Sequence, residues 1–354
     1  MNALAPILDR LRDPAEVVAA LPYLLGFHPR DSLVVVTIQP GAPPTVGLVL
    51  RADLPPPGAE DELVEQLCTP LRAGDVRAVM LVVVGGRADP APASVGRLRG
   101  ALAELGVAVV HAMWAASTAP GARWACLDRP AHTGSLPDAT GSPLAAATAA
   151  AGLVTYADRD ELRRLVAPDT EAALQRRAAL LDAAVEAADM DRSSAGPSAT
   201  ARDVRLVRDA VLAAVDGRLP AEDHEVVRLA VALSDPLVRG CSLDLCLGEL
   251  AAAAERLWFA LTRATPPPEV AEPAALAALS AYLRGDGALA GMALDRALQA
   301  WPGHNLAALV DQVVRAAIPP RLLRQVVRDA HHDAQLDLAA ETDGENTDGE
   351  RAAG

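Results

Sequence analysis

In "YLLGFHPRDSLVVVTI", residues 23–38, a helix end, a turn and a strand follow one another, and this order indicates how the first part of the chain is organised. An apolar run stops at Gly26, and Val and Leu dominate again from Leu33 onward. A short, β-branched apolar run is typical of a strand that is buried on both faces of a sheet. The polar residues from His28 to Asp31 therefore lie at the mouth of a buried strand.

Helical and strand patterns alternate up to about residue 128. Asp13 and Pro14 predict a helix over 13–25, with Asp13 as its N-cap. The runs "SLVVVTI" (32–38) and "TVGLVLR" (45–51), joined by a Pro/Gly loop, predict an antiparallel hairpin. Further helices are predicted over 59–74 and 93–105, further strands over 76–84, 107–115 and 122–128, and a loop over 129–143. Residues 1–143 are thus predicted to form an α/β N-terminal domain with a mixed β-sheet.

The second half reads as an all-α helical domain over residues 144–332, since Ala- and Leu-rich helical patterns fill it. The glycines at 285 and 287 separate two helices, and Ala290 and Ala297 recur seven residues apart. This pattern is similar to a tetratricopeptide unit, so we expect tetratricopeptide-like helical hairpins. Residues 333–354 hold seven acidic residues and one arginine, and they are predicted to form an acidic disordered tail.

Composition narrows the classes of function. The 354 residues carry a net charge of −14, which argues against nucleic-acid binding because an acidic surface repels phosphate. No uninterrupted apolar run is long enough to predict a membrane span. The four cysteines include no C-x-x-C pair and no zinc spacing, so neither a metal nor a cofactor is predicted. We expect a soluble cytoplasmic protein.

One edge of the predicted sheet gathers polar residues. Pairing of the hairpin from Ile38 opposite Thr45 places Arg30 opposite Asp53. A right-handed crossover then brings the carboxyl ends of strands 45–51 and 76–84 to the same edge, which we call the rim. Ligands of α/β sheets bind preferentially at such an edge. The candidate ligand-binding residues of the rim are His28, Arg30, Asp31, Arg51, Asp53, Gly85, Gly86 and Arg87.

The same residues also have a structural interpretation. Pro29 restricts His28 to an extended conformation, and Arg30 with Asp53 or Asp31 with Arg51 would form ion pairs that close a sheet edge. Gly85 and Gly86 either form a turn or offer backbone N–H groups to an anion. Both interpretations stay open on the sequence alone.

Three motifs resemble an actinobacterial family catalogued as domain of unknown function 4192. The first is "LPYLLGFHPRDSLVVV" at residues 21–36, the second is "RADLP" at 51–55, and the third is "GDGALA" at 285–290. The motifs fall in the order of the family, and the resemblance spans residues 10 to about 325. It implies a shared fold but supplies no activity.

Two functions are compatible with these patterns, and whether the chain is an enzyme stays open. The leading hypothesis is a non-enzymatic interaction or regulatory protein whose helical half, residues 235–330, docks a partner protein; a homodimer through that half is an alternative. The second is an enzyme or sensor that binds a small anionic ligand at the rim, and phosphorylated compounds are one class of such ligands. In that case Arg30, Arg51 and Arg87 would contact the anion, and His28, oriented by Asp31, would act as acid or base.

Overall fold

The computed structural model describes residues 13–41, 45–72, 76–86, 93–129, 131–150 and 153–352. The chain divides into two compact units. The first comprises Met1–Leu162 with Arg315–Ala317, and the second comprises Arg163–Val314 with Ile318–Gly354. The first unit therefore extends beyond residue 143, where the sequence suggests the boundary.

The first unit contains a mixed sheet of six strands in the order β2-β1-β3-β4-β5-β6. Strand β1 is antiparallel to both β2 and β3, β3 is parallel to β4, and β5 and β6 complete the sheet as antiparallel strands. The strands are β1 (Ser32–Gln39), β2 (Thr45–Asp53), β3 (Ala78–Val84), β4 (Ala108–Ala115), β5 (Arg123–Cys126) and β6 (Thr133–Ser135). The helices are α1 (Pro14–Leu25), α2 (Glu60–Arg72), α3 (Ala93–Glu104), α4 (Pro143–Ala150) and α5 (Arg159–Arg163).

Local chemistry sets the limits of α1. The Asp13 carboxylate accepts a hydrogen bond from the Ala15 N–H at 2.9 Å, and Pro14 occupies the first turn, where its missing N–H costs nothing. Gly26 ends the helix in the left-handed region at φ 79°. These features confirm the predicted helix and turn the chain toward β1.

The central strands β1 and β3 are buried on both faces of the sheet, as their uninterrupted apolar sequences predict. Successive residues of β1 and of β3 point to opposite faces, yet all of Leu33–Val36 and Val79–Val84 are buried. One face packs against apolar side chains of α2 and α3, which include Leu63, Leu67 and Leu98.

The hairpin register differs from the prediction by two residues at the rim. Ser32, not Arg30, pairs with Asp53. One residue of this difference arises next to the loop, where Ile38 pairs with Val46 and not with Thr45. The second arises between Val36 and Ile38, where β2 contains one more residue than β1. Gly47 lies in this bulge, and a Cβ atom there would lie 2.6 Å from the Thr37 hydroxyl oxygen.

The prediction missed a short strand. Residues 133–135 form β6 within the segment that the sequence suggests is a loop. Its Gly134 lies against the indole of Trp124 on β5, and a Cβ atom there would lie 2.9 Å from Trp124 Nε1. Thr133, Gly134 and Ser135 are small and carry no apolar alternation, so no sequence pattern indicates this strand.

The second unit is mostly helical, as predicted. Its centre is α11, which is buried at every residue from Ala271 to Leu283, and the six alanines of this helix let α10 and α12 approach closely. Gly285 ends α11 at φ 103°, and the Asp286 carboxylate caps α12. The helices are α6 (Glu171–Ala195), α7 (Pro197–Val215), α8 (Asp223–Ser234), α9 (Pro236–Ser242), α10 (Ala251–Ala264), α11 (Ala271–Arg284), α12 (Gly287–Ala300), α13 (Asn305–Arg315) and α14 (Pro320–Ala352).

The last helix differs from the predicted disordered tail. Helix α14 continues through residue 333 to Ala352. Leu323, Val327 and Ala334 are buried at helical spacing along it. Gly240 of α9 permits the close packing, since a Cβ atom there would lie 2.8 Å from the Ala334 Cβ. The acidic side chains conceal this apolar stripe in the sequence. Among the described residues, no helix combines the length and apolarity that crossing a bilayer requires.

Candidate functional site

The rim of the sheet brings most of the candidate residues together. Four residues form one row across four strands there: Asp53 pairs with Ser32, Ser32 with Val84, and Val84 with Ala115. The carboxyl ends of β2, β3 and β4 therefore meet the start of β1. The candidates that flank this row are Arg30, Asp31, Arg51, Gly85 and Gly86, whereas Arg87 lies outside the described residues.

Asp31 takes a strained backbone conformation at the start of β1. Its φ is 40°, in the left-handed region that non-glycine residues seldom adopt. The Asp31 carbonyl accepts a hydrogen bond from the Leu54 N–H at 2.8 Å, which ties the turn to the end of β2. Asp31 therefore fixes the corner through its backbone.

The glycine pair after β3 bends the chain, and both backbone groups of Gly85 are already engaged in hydrogen bonds. The Gly85 N–H donates to the Ala115 carbonyl at 2.9 Å, and the Gly85 carbonyl accepts from Trp114 Nε1 at 2.8 Å. Gly85 and Gly86 have φ values of 85° and 63°, which glycine adopts without strain. Because both of its backbone groups are engaged, Gly85 fits the interpretation as a turn better than the interpretation as a donor of N–H groups to an anion.

Arg51 is the most firmly held cation of the rim. Its Nε donates to the Ser32 hydroxyl at 2.9 Å, and its Nη2 donates to the Arg30 carbonyl at 3.4 Å. The Ser32 hydroxyl in turn donates to the Arg30 carbonyl at 2.5 Å. The guanidinium carbon lies 5.8 Å from the centre of the Phe27 ring, within the range of a cation–π interaction. Uncharged groups thus fix this guanidinium at the rim.

The ion pairs at the rim have other partners than predicted. Arg51 pairs with Asp53 two residues along β2, and Arg159 of α5 also contacts Asp53, with Nη1 3.0 Å from Oδ2. Arg30 pairs with Asp158 and not with Asp53, and its Nη1 lies 3.7 Å from Asp158 Oδ2. The shifted register explains the difference, because Ser32 takes the position opposite Asp53 that Arg30 was expected to hold.

An open cavity of about 210 Å³ lies beside these charges, at the carboxyl end of β2. Arg51 and Arg159 contribute positive charge, Asp53 and Glu62 contribute negative charge, and Gln66 adds an amide. The remaining wall is formed by Ala52, Pro55, Pro56, Ala59 and Leu63. This volume is smaller than the ~300–1,000 Å³ of sites for drug-sized ligands, so it suits a small polar molecule.

His28 lies on another part of the rim, and the residues lining the cavity do not include it. Its Nδ1 shares a hydrogen bond of 2.9 Å with the hydroxyl of Thr118, a buried residue. Burial, with a smaller contribution from the nearby Arg30 cation, lowers the pKa of His28 below its usual value. The sequence suggested that Asp31 orients His28, whereas in the structure the ring is held by Thr118.

Sequence reasoning missed several residues of the site. Arg159 lies 106 residues beyond Asp53, and no local pattern connects it with β2. Glu62 and Gln66 lie four residues apart on α2, so they share one face of that helix, a signal that could have marked them. Tyr156 pairs with Phe27 in an isolated β-bridge, and this bridge brings the segment before α5 to the start of β1.

The comparisons with known proteins agree with the three motifs of the sequence. No curated protein and no solved structure matches the chain. The family model described as "Domain of unknown function (DUF4192)" matches residues 14–321, most of the chain. The chain therefore belongs to the DUF4192 family.

Proposed function

We propose that the first unit binds a small anionic molecule in the rim cavity. The observation that carries this proposal is the pair Arg51 and Arg159, two arginines that line one open cavity at the carboxyl end of β2. Guanidinium groups bind carboxylate and phosphate oxygens through paired hydrogen bonds. The position also agrees with the general preference of α/β sheets for ligands at this edge.

The geometry supports binding more directly than catalysis. His28 is held by Thr118 and does not line the cavity, so the role of acid or base that the sequence suggested for it lacks support. Glu62 and Gln66 can accept hydrogen bonds from hydroxyl or amine groups. A ligand with one anionic group and several hydrogen-bond donors fits this set of side chains.

A thermal-shift screen tests the proposal. The purified full chain is screened against inorganic phosphate, sugar phosphates, nucleotides and small carboxylates. A ligand that binds only the folded protein raises the melting temperature. We expect a hit among the small phosphorylated compounds, and we expect Arg159→Gln to abolish it.

Arg97→Gln is the matched control for that variant. Arg97 is also a partly exposed arginine of the first unit, and its Nη1 lies 2.5 Å from Asp61 Oδ1. Its replacement removes the same charge away from the cavity. A hit that survives Arg159→Gln, or that disappears in both variants, contradicts binding at the rim.

A second proposal concerns the helical unit, which we infer docks a partner protein through α13 and α14. Its support is the exposure of three large apolar side chains there, Leu309, Leu322 and Val326, since apolar side chains at a surface are typical of interaction sites. The tetratricopeptide-like interpretation of α11 and α12 belongs to this proposal. A second copy of the chain is the alternative partner.

Two measurements separate these partners. Light scattering of the purified protein determines whether it is a homodimer. Capture from host extract then compares wild type with Leu322→Ser/Val326→Ser, and with Leu180→Ser, which changes an exposed leucine of α6. A defined partner that the double variant loses and the control retains supports the proposal; equal capture by all three proteins contradicts it.

We also infer that the protein works in the cytoplasm. All four cysteines are buried and free of disulfide bonds. Proteins of oxidising compartments commonly join their cysteines in disulfide bonds. Fractionation of host cells tests this location, and recovery in the secreted fraction contradicts it.

A further inference from the structure

Asp53 occupies the place between the two arginines where a bound anion would be held. One carboxylate oxygen contacts Arg51 Nη2 and the other lies 3.0 Å from Arg159 Nη1. A carboxylate that joins two guanidinium groups in this way has the geometry of a bound ligand. The chain thus supplies its own anion at the cavity.

The three side chains differ in how firmly they are held. The Arg51 side chain is 10% exposed, that of Arg159 is 33% exposed and that of Asp53 is 63% exposed. Ser32, the Arg30 carbonyl and the Phe27 ring hold Arg51 independently of Asp53. Asp53 is therefore the member of the group that can turn toward solvent while Arg51 stays in place.

This inference rests on the rim site proposed above. We propose that the ligand of that site is a small phosphomonoester, whose phosphate replaces the Asp53 carboxylate between Arg51 and Arg159. Two guanidinium groups carry a charge of +2. A carboxylate neutralises half of this charge, whereas a phosphomonoester dianion neutralises almost all of it. Asp53 then acts as a specificity-determining residue, because a monoanion gains little by displacing another monoanion. Glu62 and Gln66 accept hydrogen bonds from the hydroxyl groups of the ligand.

Isothermal titration calorimetry on the full chain tests this inference. The probes are inorganic phosphate, glycerol 2-phosphate and acetate, and the proteins are wild type, Asp53→Asn and Arg159→Gln. We expect Asp53→Asn to bind glycerol 2-phosphate about tenfold or more tightly than wild type, and to bind acetate better as well. Arg159→Gln is expected to lose binding of all three probes.

Asp128→Asn is the matched control, since Asp128 also pairs with an arginine of the first unit, Arg99, at 2.5 Å. It is expected to bind each probe as wild type does, which separates the local effect at Asp53 from a general loss of negative charge. Asp53→Ser gives a second neutral variant in case the asparagine disturbs the turn. The melting temperature of each variant establishes that it is folded.

The outcomes separate this inference from the proposed function. If wild type binds glycerol 2-phosphate but both Asp53 variants bind it equally or less tightly, the rim site stands and the displacement of Asp53 is wrong. Binding by the Asp53 variants but not by wild type supports displacement. If no protein binds any probe, both the phosphomonoester site and the role of Asp53 are wrong.

Discussion

Asp31 and Gly85 are in contact across the start of β1 and the end of β3, and the contact leaves no room for a side chain on Gly85. A Cβ atom there would lie 2.6 Å from Asp31 Oδ1 and 2.9 Å from the Asp31 backbone nitrogen. Gly85 also has a φ of 85°, and Asp31 has one of 40°. The rim is thus built on two adjacent turns that constrain each other.

Gly85→Ala should destabilise the protein strongly, because it adds both a steric clash and a left-handed alanine. Gly58→Ala is the matched control: its φ is 94°, but no atom lies within 4 Å of the added Cβ. We expect about 1–2 kcal/mol of destabilisation for the control, and about 1–3 kcal/mol more for Gly85→Ala. Denaturant unfolding measures both, and equal losses would show that the contact with Asp31 is unimportant.

The stability of the first unit should depend on pH through His28. The folded-state pKa of His28 is lowered, so the unfolded chain binds the proton more strongly. Stability is therefore expected to fall as pH drops through the usual histidine pKa of about 6.5 toward the lowered folded value. Above that window His28 is neutral in both states and contributes no slope.

His28→Asn tests the source of this pH dependence. Asparagine keeps a hydrogen-bonding group for Thr118 but does not titrate. Melting temperatures recorded over the acidic range should fall less steeply for the variant than for wild type. Identical slopes for the two proteins would assign the effect to other groups.

Glu272 in the second unit is a buried carboxylate whose removal should be costly. Arg239 Nη1 lies 2.5 Å from its Oε2, and His304 Nε2 lies 2.9 Å from the same oxygen. His304 Nδ1 accepts the Ala307 N–H, so this ring links α11 to the start of α13.

Glu272→Gln should lower the free energy of unfolding by about 3–5 kcal/mol, because it removes the buried negative charge that pairs with the Arg239 guanidinium. Glu249→Gln, at an exposed position, should change it by no more than about 0.5 kcal/mol. Chemical denaturation followed by circular dichroism measures both variants. A loss for Glu272→Gln as small as that of the control would mean that the cluster contributes little to stability.

The packing of α14 predicts opposite effects for two glycine substitutions in helices. Gly240→Ala should loosen α14, because its Cβ would meet the Ala334 Cβ at 2.8 Å. Gly291→Ala meets no atom within 4 Å and should stabilise the protein by about 0.5–1 kcal/mol. Amide hydrogen exchange should therefore speed up in α14 only for Gly240→Ala, and unchanged exchange there would contradict the close packing.

The sequence predicts those parts of the fold that depend on local patterns. The β-branched run from Leu33 to Val36 marks a buried strand, and handedness brings residues 51–53 and 85–86 to one edge. The exact register was not predictable, because the pairing next to the loop and the bulge at Gly47 each shift it by one residue without changing the apolar pattern. The contact between Asp53 and Arg159 was also missed, since tertiary folding alone brings α5 to β2.

The end of helix α14 is another feature that the sequence did not predict. Residues 333–354 hold seven acidic residues and few large apolar ones, a composition that suggests disorder. Yet Ala334 is buried, because a single small residue at helical spacing is enough to pack against Gly240. Average composition conceals such contacts, which depend on the residue of the opposite helix.

The position of a bound oxyanion determines whether Arg51 and Arg159 form a ligand site. A crystal of the protein soaked with tungstate, an oxyanion with a strong anomalous signal, would show where anions bind. We predict an anomalous peak within hydrogen-bonding distance of the Arg51 and Arg159 guanidinium groups, with Asp53 turned toward solvent. Peaks found only at other arginines of the surface, with Asp53 still bridging the pair, would contradict a ligand site at the rim.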